Sequence, residues 1–211
     1  MPDRLTGPAV GKTRDRLLTA GLRLFAEHDF HSVRVGDIEE AAGLVPRRGA
    51  MYRHFASKDA LLEAAVEAHL QSVAAAGLQY QGDGERPVAS TGEVGALILA
   101  EMDRQQLITL VLERNGHRLP ALRDRFRAGV SDAGYRTMRN LLTAWLSAAR
   151  PTAEPRFVDG LAVHLLGAMV NARRSTWTLG APPLGLTDAE LIAGWVALCD
   201  GWLAGGRPDQ T

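Results

Sequence analysis

The chain has 211 residues, enough to bury a sizeable core within one domain or within a small domain joined to a larger one. Its 24 Lys and Arg residues balance 24 Asp and Glu residues, which excludes a generally basic protein but leaves room for a local basic patch that binds nucleic acid. The one cysteine, Cys199, excludes an intrachain disulfide and a cysteine-rich zinc site, and with no signal-peptide pattern at the N-terminus it indicates a cytoplasmic protein.

Helical spacing of apolar residues recurs along the chain, and no convincing run of alternating apolar and polar residues occurs, so the predicted fold is all-α. A first helix is predicted from an N-cap at Thr13 to about His28. A short second helix follows from about Val35 to Ala42, and Gly43 is expected in the left-handed conformation that ends it. The N-terminal half therefore begins with two helices of unequal length.

Prolines, serines and glycines predict where the remaining helices begin and end. Pro46 suits the first position of a third helix, and Ser57 is a good N-cap for a fourth. Residues 77–92 are rich in Gly, Pro and polar residues and are predicted to form a surface loop. Four further helices are predicted at residues 93–115, with residues 103–106 as a candidate interruption, and at 120–149, 156–179 and 188–204. Thr187 and Glu190 have the spacing of a capping box for the last of these.

The segment from Asp37 to Lys58 has the pattern of a helix-turn-helix: two short helices with a glycine between them, the second of which carries basic and aromatic side chains. Arginine pairs with guanine edges or phosphates, and a tyrosine or histidine can hold the DNA backbone. The alternative is a solvated basic helix in a bundle. The short helices alone leave the two interpretations equally open.

No constellation of residues predicts catalysis or a metal. The six histidines, His28, His31, His54, His69, His117 and His164, include no pair with metal-ligand spacing on one helix face. The chain shows no nucleophile elbow and no paired carboxylates. The longest apolar run, Leu161 to Val170, is about half of a membrane-spanning length. We therefore predict no enzyme activity, metal, cofactor or membrane partner.

Two stretches together resemble the N-terminal DNA-binding domain of the TetR family of bacterial transcriptional regulators. They are "TRDRLLTAGLRLFAEHDFHSVRVGDIEEAAG" and "GAMYRHFASKDALLEAAV", and the match runs over residues 13–66. The resemblance implies a helix-turn-helix domain at residues 1–57 and a larger helical domain for ligand binding and dimerisation at residues 58–211. It also implies a homodimeric repressor that binds a palindromic double-stranded DNA operator and is released by a small-molecule effector.

The resemblance assigns DNA-binding roles to individual residues. Gly49, Ala50 and Tyr52 fall on the recognition helix, with Ala50 near the bases and Tyr52 near phosphate. The positions that hold the backbone are those of His54 and Lys58. Further candidates are Arg47 and Arg48, which precede the glycine, and Arg34, which takes the place of the usual Ser or Thr cap of the second helix.

The turn before Tyr52 departs from the family's usual pattern. Eight residues separate Gly43 from Tyr52, two more than is usual in the family. Pro46, Arg47 and Arg48 either add a first turn to the recognition helix or form a longer loop beside it. The first arrangement would let the arginines read bases, and the second would let them grip phosphates only.

Apolar faces on the last two helices predict the dimer interface, because a contiguous apolar face is costly to leave in water. The predicted interface residues are Leu165, Leu166, Met169, Val170, Trp195, Leu198, Cys199 and Trp202. The alternative for any of them is the core of the protomer.

Large, adaptable or isolated polar side chains on mainly apolar helices predict the lining of a pocket for an apolar or amphipathic effector: Met102, Met138, Trp145, His164 and Asn171. The rival function is a helical small-molecule carrier without sequence-specific DNA binding.

Overall fold

A computed structural model describes residues 8–80, 89–117, 119–149 and 154–204. Within these residues the chain forms eight α-helices and no β-strand, so the predicted all-α class is confirmed. The helices are α1 (Pro8–Glu27), α2 (Val35–Ala41), α3 (Lys58–Tyr80), α4 (Thr91–Asn115), α5 (Pro120–Phe126), α6 (Asp132–Ala149), α7 (Pro155–Leu179) and α8 (Asp188–Ala204). Single 3₁₀ turns lie at Met51–Arg53 and Pro183–Gly185, and a π-helical turn at Arg127–Ser131 joins α5 to α6.

Most predicted helix ends are confirmed. Gly43 is left-handed with φ of +66° after α2, and the Ser57 hydroxyl accepts a hydrogen bond from the Ala60 N–H at 3.0 Å at the start of α3. The capping box is present because Glu190 accepts from the Thr187 N–H at 2.8 Å and the Thr187 hydroxyl accepts from the Glu190 N–H at 3.3 Å. These ends depend on contacts within a few residues, which is why the sequence predicts them.

Three predicted boundaries are wrong. Thr13 lies inside α1, which begins at Pro8, since proline is tolerated in a first turn where its missing N–H has no partner. Helix α3 continues to Tyr80, into the predicted loop, of which residues 81–88 lie outside the described ranges. Helix α4 runs without a break through residues 103–106, because arginine and glutamine are good helix formers.

The packing separates two compact units, each with its own core. Unit 1 comprises Met1–Val73 and Gln105–Arg127, and unit 2 comprises Ala74–Arg104 and Ala128–Thr211. The sequence predicted a division by function, with a DNA-binding domain at residues 1–57 and a ligand-binding domain at residues 58–211, and this division stays a prediction. The two units are defined by packing, and the first of them includes the N-terminal part of α3.

Unit 1 is stabilised by a buried core and by one buried amide. Its core includes Phe25, Ile38 and Leu61, which are fully buried. The Asn115 side chain is also fully buried, and its Oδ1 accepts from the Phe30 N–H at 3.0 Å. Its Nδ2 donates to the carbonyls of Phe25 at 3.2 Å and Val111 at 3.1 Å. Asn115 therefore joins the end of α1 and the loop after it to α4.

Unit 2 has a separate core formed by α4, α6, α7 and α8. The Trp195 indole donates to the Leu165 carbonyl at 3.0 Å, which pins α8 to α7. Arg173, with a side chain only 12% exposed, pairs with Asp103 at 3.2 Å and Asp188 at 2.8 Å. Burial raises the pKa of the Cys199 thiol to about 12, so that it stays protonated and unreactive near neutral pH. None of the helices described is both long and apolar enough to cross a membrane.

Candidate nucleic-acid interface

Helix α2 is held at both ends by polar contacts. At its start the Asp37 carboxylate accepts from the Arg34 N–H at 2.9 Å, which compensates for the missing Ser or Thr cap. At its end the Arg16 guanidinium donates to the Ala42 carbonyl. A Cβ at Gly43 would lie 2.5 Å from that guanidinium and would displace it, and the left-handed φ of +66° favours glycine here. The first helix of the pair is therefore fixed to α1.

The segment after α2 is a turn, so of the two arrangements that the sequence left open the structure has the longer loop, and no helix begins at Pro46. Arg47 has φ of +62° and Gly49 has φ of +67°, both in the left-handed region. A right-handed helix cannot pass through such residues. Helical structure is confined to the single 3₁₀ turn Met51–Arg53. The extra length therefore forms a longer loop, which we call the arginine turn and define as residues 44–49.

Glu39 holds this turn in place. Its side chain is fully buried in unit 1. One carboxylate oxygen accepts from the Arg47 N–H at 2.7 Å and the other from the Met51 N–H at 3.0 Å. A buried carboxylate is tolerated only where such partners satisfy it. The sequence analysis missed Glu39, because a glutamate beside Glu40 on a short helix carries no local sign of burial.

The arginine turn and the residues after it present basic and aromatic groups to solvent. Arg34, Arg47 and Arg48 are exposed, and so is Arg53, which the sequence analysis did not select. Tyr52 is 60% exposed. His54 and Gly49 are partly exposed. These groups have the charge and hydrogen-bonding capacity that phosphates and base edges require.

Two predicted DNA-binding residues lie inside unit 1 instead of on this surface. Ala50 is only 6% exposed, so little of its surface is accessible for the predicted approach to bases. The Lys58 ammonium donates to the carbonyls of Phe30 and Val33, each at 2.7 Å, and lies 4.8 Å from the Phe30 ring centroid. Desolvation lowers the pKa of Lys58. Lys58 thus ties the loop before α2 to the start of α3, a role that its sequence position did not indicate.

The predicted dimer-interface residues fall into two groups. Leu165, Met169, Trp195 and Cys199 are buried in the core of unit 2, so little of their surface is left for a partner to cover. Leu166, Val170 and Trp202 are half-buried, and Leu198 is 58% exposed. The structure therefore favours a place in the core of the protomer for these first four residues, which was the alternative to the dimer interface.

The predicted pocket residues lie in different environments, and their common role stays a prediction. Met102 and Met138 are buried, Trp145 donates its indole N–H to the Ala89 carbonyl at 3.1 Å, and His164 and Asn171 are exposed. Of these, His164 alone borders the described cavity of about 460 Å³ between α6 and α7. The surface of this cavity is mainly apolar, and three arginines are among the residues that line it: Tyr135, Arg136, Arg139, Arg156, Asp159, Gly160, Ala162, Val163 and His164. Across the described residues no group of three or more His, Cys, Asp or Glu side chains could hold a metal ion.

Comparison with known proteins finds similarity to bacterial transcriptional regulators in the same N-terminal segment. The family of bacterial regulatory proteins called the tetR family matches residues 17–65. The HTH-type transcriptional regulator AcrR of Shigella flexneri is 35% identical over 78 residues, 37% of this chain and 35% of AcrR. The HTH-type transcriptional regulator UidR of Escherichia coli K12 is 39% identical over 54 residues, 26% of each chain. The matches thus span about a third or less of these relatives.

The similarity of the fold extends much further along the chain than the similarity of sequence. A TetR-like transcriptional regulator from Rhodococcus sp. RHA1 superposes with a TM-score of 0.65 at 17% identity, covering 95% of this chain and 99% of that one. The similarities of sequence and of fold are both to bacterial transcriptional regulators. Residues 17–65 thus match the tetR family of bacterial regulatory proteins, and the fold of the chain is that of TetR-like regulators.

Proposed function

We propose that the protein is a cytoplasmic, ligand-responsive repressor that binds a palindromic DNA operator as a homodimer. The observation that carries the proposal is the exposed basic surface around the helix-turn-helix, formed by Arg34, Arg47, Arg48 and Arg53 on a chain that has no net charge. Counterion release by such a surface gives affinity for DNA. Gly49, Tyr52 and His54 complete the proposed contact set.

Selection of bound duplexes from a random pool tests DNA recognition directly. Enrichment of a palindromic sequence is expected, and its affinity should fall steeply as salt is raised. Arg48→Ala should reduce the slope of log affinity against log salt by about one. Arg104→Ala is the matched control, because it removes the same charge from an exposed arginine that pairs with Glu101, and it should leave the slope unchanged. Recovery of no preferred sequence at moderate salt would contradict the proposal and favour a carrier.

The proposed dimer uses faces of α7 and α8 that the protomer leaves uncovered. Leu198 is more than half exposed, and a Cβ built at Gly167, Gly194 or Gly201 would meet no neighbouring atom within 4 Å. Burial of these faces in a twofold interface would remove apolar surface from water. Such a dimer would set two DNA-contacting surfaces about 34–36 Å apart, the separation of successive major grooves on one face of the duplex.

A charged residue in this interface should dissociate the dimer. Leu198→Asp is expected to give the mass of one chain in solution at micromolar concentration, where the wild type gives the mass of two. Leu184→Asp is the control, since Leu184 is 96% exposed on the turn before α8 and should leave the mass unchanged. A monomeric wild type would contradict the proposed dimer.

The cavity between α6 and α7 supports an amphipathic effector with an acidic group. Three arginines line it, and the one carboxylate present, Asp159, accepts from Arg156 at 3.2 Å. The excess of guanidinium groups favours an anion, and Tyr135, Ala162 and Val163 offer apolar surface beside it. Release from DNA requires that the effector bind more tightly to a conformation that binds the operator poorly.

Displacement of the selected duplex tests the class of effector. Small aromatic carboxylates are expected to displace it, whereas the corresponding neutral amides are not. Arg139→Ala should raise the concentration of carboxylate needed. Equal displacement by acids and amides would contradict the acidic class while leaving operator recognition intact.

A further inference from the structure

We infer that Arg47 in the arginine turn is a specificity-determining residue that reads a base edge, and that the buried Glu39 is its positioning residue. The inference rests on the proposed DNA-binding function and concerns which element distinguishes one sequence from another. A helix in the major groove normally supplies the side chains that do so. In this chain the helical segment at that place is a single 3₁₀ turn. A loop arginine that is held rigidly takes the role instead, contrary to the expectation that a longer loop would let the arginines grip phosphates only.

The 3₁₀ turn Met51–Arg53 exposes few side chains for sequence recognition. Met51 is fully buried, and so is the preceding Ala50 apart from a small fraction of its surface. Tyr52 and Arg53 are the exposed members of the turn. The residues immediately before it, from Val45 to Arg48, are all exposed. Two of these residues, Arg47 and Arg48, are therefore accessible for contacts with DNA beside Tyr52 and Arg53.

Arg47 differs from Arg48 in how firmly its backbone is held. Its N–H donates to the buried Glu39 carboxylate at 2.7 Å, and its left-handed φ of +62° is an uncommon conformation for a residue with a side chain. A Cβ built at Gly36 would lie 3.7 Å from the Arg47 Cγ, so the stem of Arg47 also lies against the first turn of α2. These three constraints fix the direction in which the Arg47 side chain leaves the surface.

Recognition of a base requires an arginine side chain that leaves the protein in a fixed direction, whereas binding of a phosphate does not. An arginine identifies guanine by two parallel hydrogen bonds to O6 and N7, which require the planar fork to arrive in one orientation. A phosphate accepts an arginine from many directions and carries no sequence information. Arg47 therefore fits the role of base reader, and Arg48, whose backbone has no such anchor among the described contacts, fits that of phosphate contact.

Glu39 cannot contact DNA itself, because its side chain is fully buried. It acts by accepting from Arg47 and, through the other oxygen, from the Met51 N–H at 3.0 Å. Both ends of the segment from Arg47 to Met51 are thus held by one carboxylate. Loss of one acceptor should loosen the arginine turn without removing a positive charge from the surface.

The decisive experiment repeats the random-duplex selection with four variants of the full-length protein. Arg47→Lys keeps the charge but loses the fork, so it should keep the salt slope and affinity for random DNA while losing at least about tenfold in affinity for the wild-type operator. Its selected sequences should lose preference at one base pair in each half-site. Arg48→Ala should instead weaken all duplexes alike.

Glu39→Gln should reproduce the relaxed preference of Arg47→Lys with the salt slope unchanged. Glu40→Gln is its matched control, because it removes the same charge from the neighbouring exposed residue of α2, and it should retain the wild-type preference. Thermal unfolding of each variant establishes that it is folded. If Glu39→Gln does not fold, Arg47→Lys alone decides whether the turn reads bases.

Two outcomes separate this inference from the function on which it rests. A wild-type protein that selects no sequence overturns the proposed function itself. A wild-type protein that selects an operator, with Arg47→Lys retaining the same preference at every position, overturns the role of Arg47 and leaves the repressor proposal standing. An unchanged preference in a folded Glu39→Gln overturns the positioning role of Glu39.

Discussion

Asn115→Asp is expected to lower the free energy of unfolding of unit 1 by about 3–5 kcal/mol at neutral pH. The amide nitrogen of Asn115 donates to the carbonyls of Phe25 and Val111 inside the core. The introduced carboxylate has no N–H to donate, and its charge would lie against both carbonyls. Two buried acceptors lose their donor, and an unpaired charge is added where no water can solvate it.

The loss should depend on pH with a definite sign. Burial would raise the pKa of the introduced carboxyl in the folded state, so that the folded state binds a proton more tightly than the unfolded state does. The destabilisation should therefore be smallest below the unfolded-state pKa of about 4 and grow as pH rises through the folded-state pKa. Urea unfolding followed by circular dichroism at several pH values measures it.

Asn171→Asp supplies the control for this prediction, because it makes the same chemical change on an exposed residue of α7. Its effect should stay within about 0.5 kcal/mol. An Asn115→Asp variant that unfolds at the same urea concentration as the wild type would show that the buried amide does not make the contacts assigned to it.

Lys58→Met is expected to lower the free energy of unfolding by about 2–4 kcal/mol. Methionine keeps much of the side-chain volume but cannot donate to the carbonyls of Phe30 and Val33, which both lose a charged partner at 2.7 Å. The cation is also lost from its place over the Phe30 ring. The variant that remains folded should bind duplex DNA with the wild-type salt slope.

This second prediction separates a structural lysine from a phosphate contact. Lys12→Met is the matched control, since Lys12 is exposed on α1 and its replacement should leave the stability within about 0.5 kcal/mol. A Lys58→Met variant of unchanged stability whose salt slope falls by about one would restore the role of phosphate contact that the family resemblance implies.

Local interactions explain why so much of the fold follows from the sequence. The Ser57 cap, the Thr187 and Glu190 capping box and the left-handed Gly43 each depend on residues within about one helical turn. Their identities are sufficient to predict where helices begin and end. The same holds for the motif at residues 13–66, whose order and spacing indicate the family.

The arginine turn is the point at which local reasoning left two arrangements open. Proline at position 46 is compatible with the first turn of a helix and equally with a tight turn. The buried Glu39 carboxylate holds the segment as a turn, because it accepts from backbone N–H groups eight and twelve residues further along the chain. The residues around Pro46 do not by themselves predict a hydrogen bond to this distant carboxylate.

By itself, the sequence determined the all-α class, most helix ends and the similarity of the N-terminal segment to the tetR family, because periodicity, caps and motif spacing are properties of neighbouring residues. Only the tertiary structure decided which polar side chains face inward. Asn115 reaches residues 85 and 90 positions away, and Lys58 reaches carbonyls 25 and 28 positions before it. A polar residue is exposed or buried according to the groups that folding brings beside it, and those partners are distant in the chain.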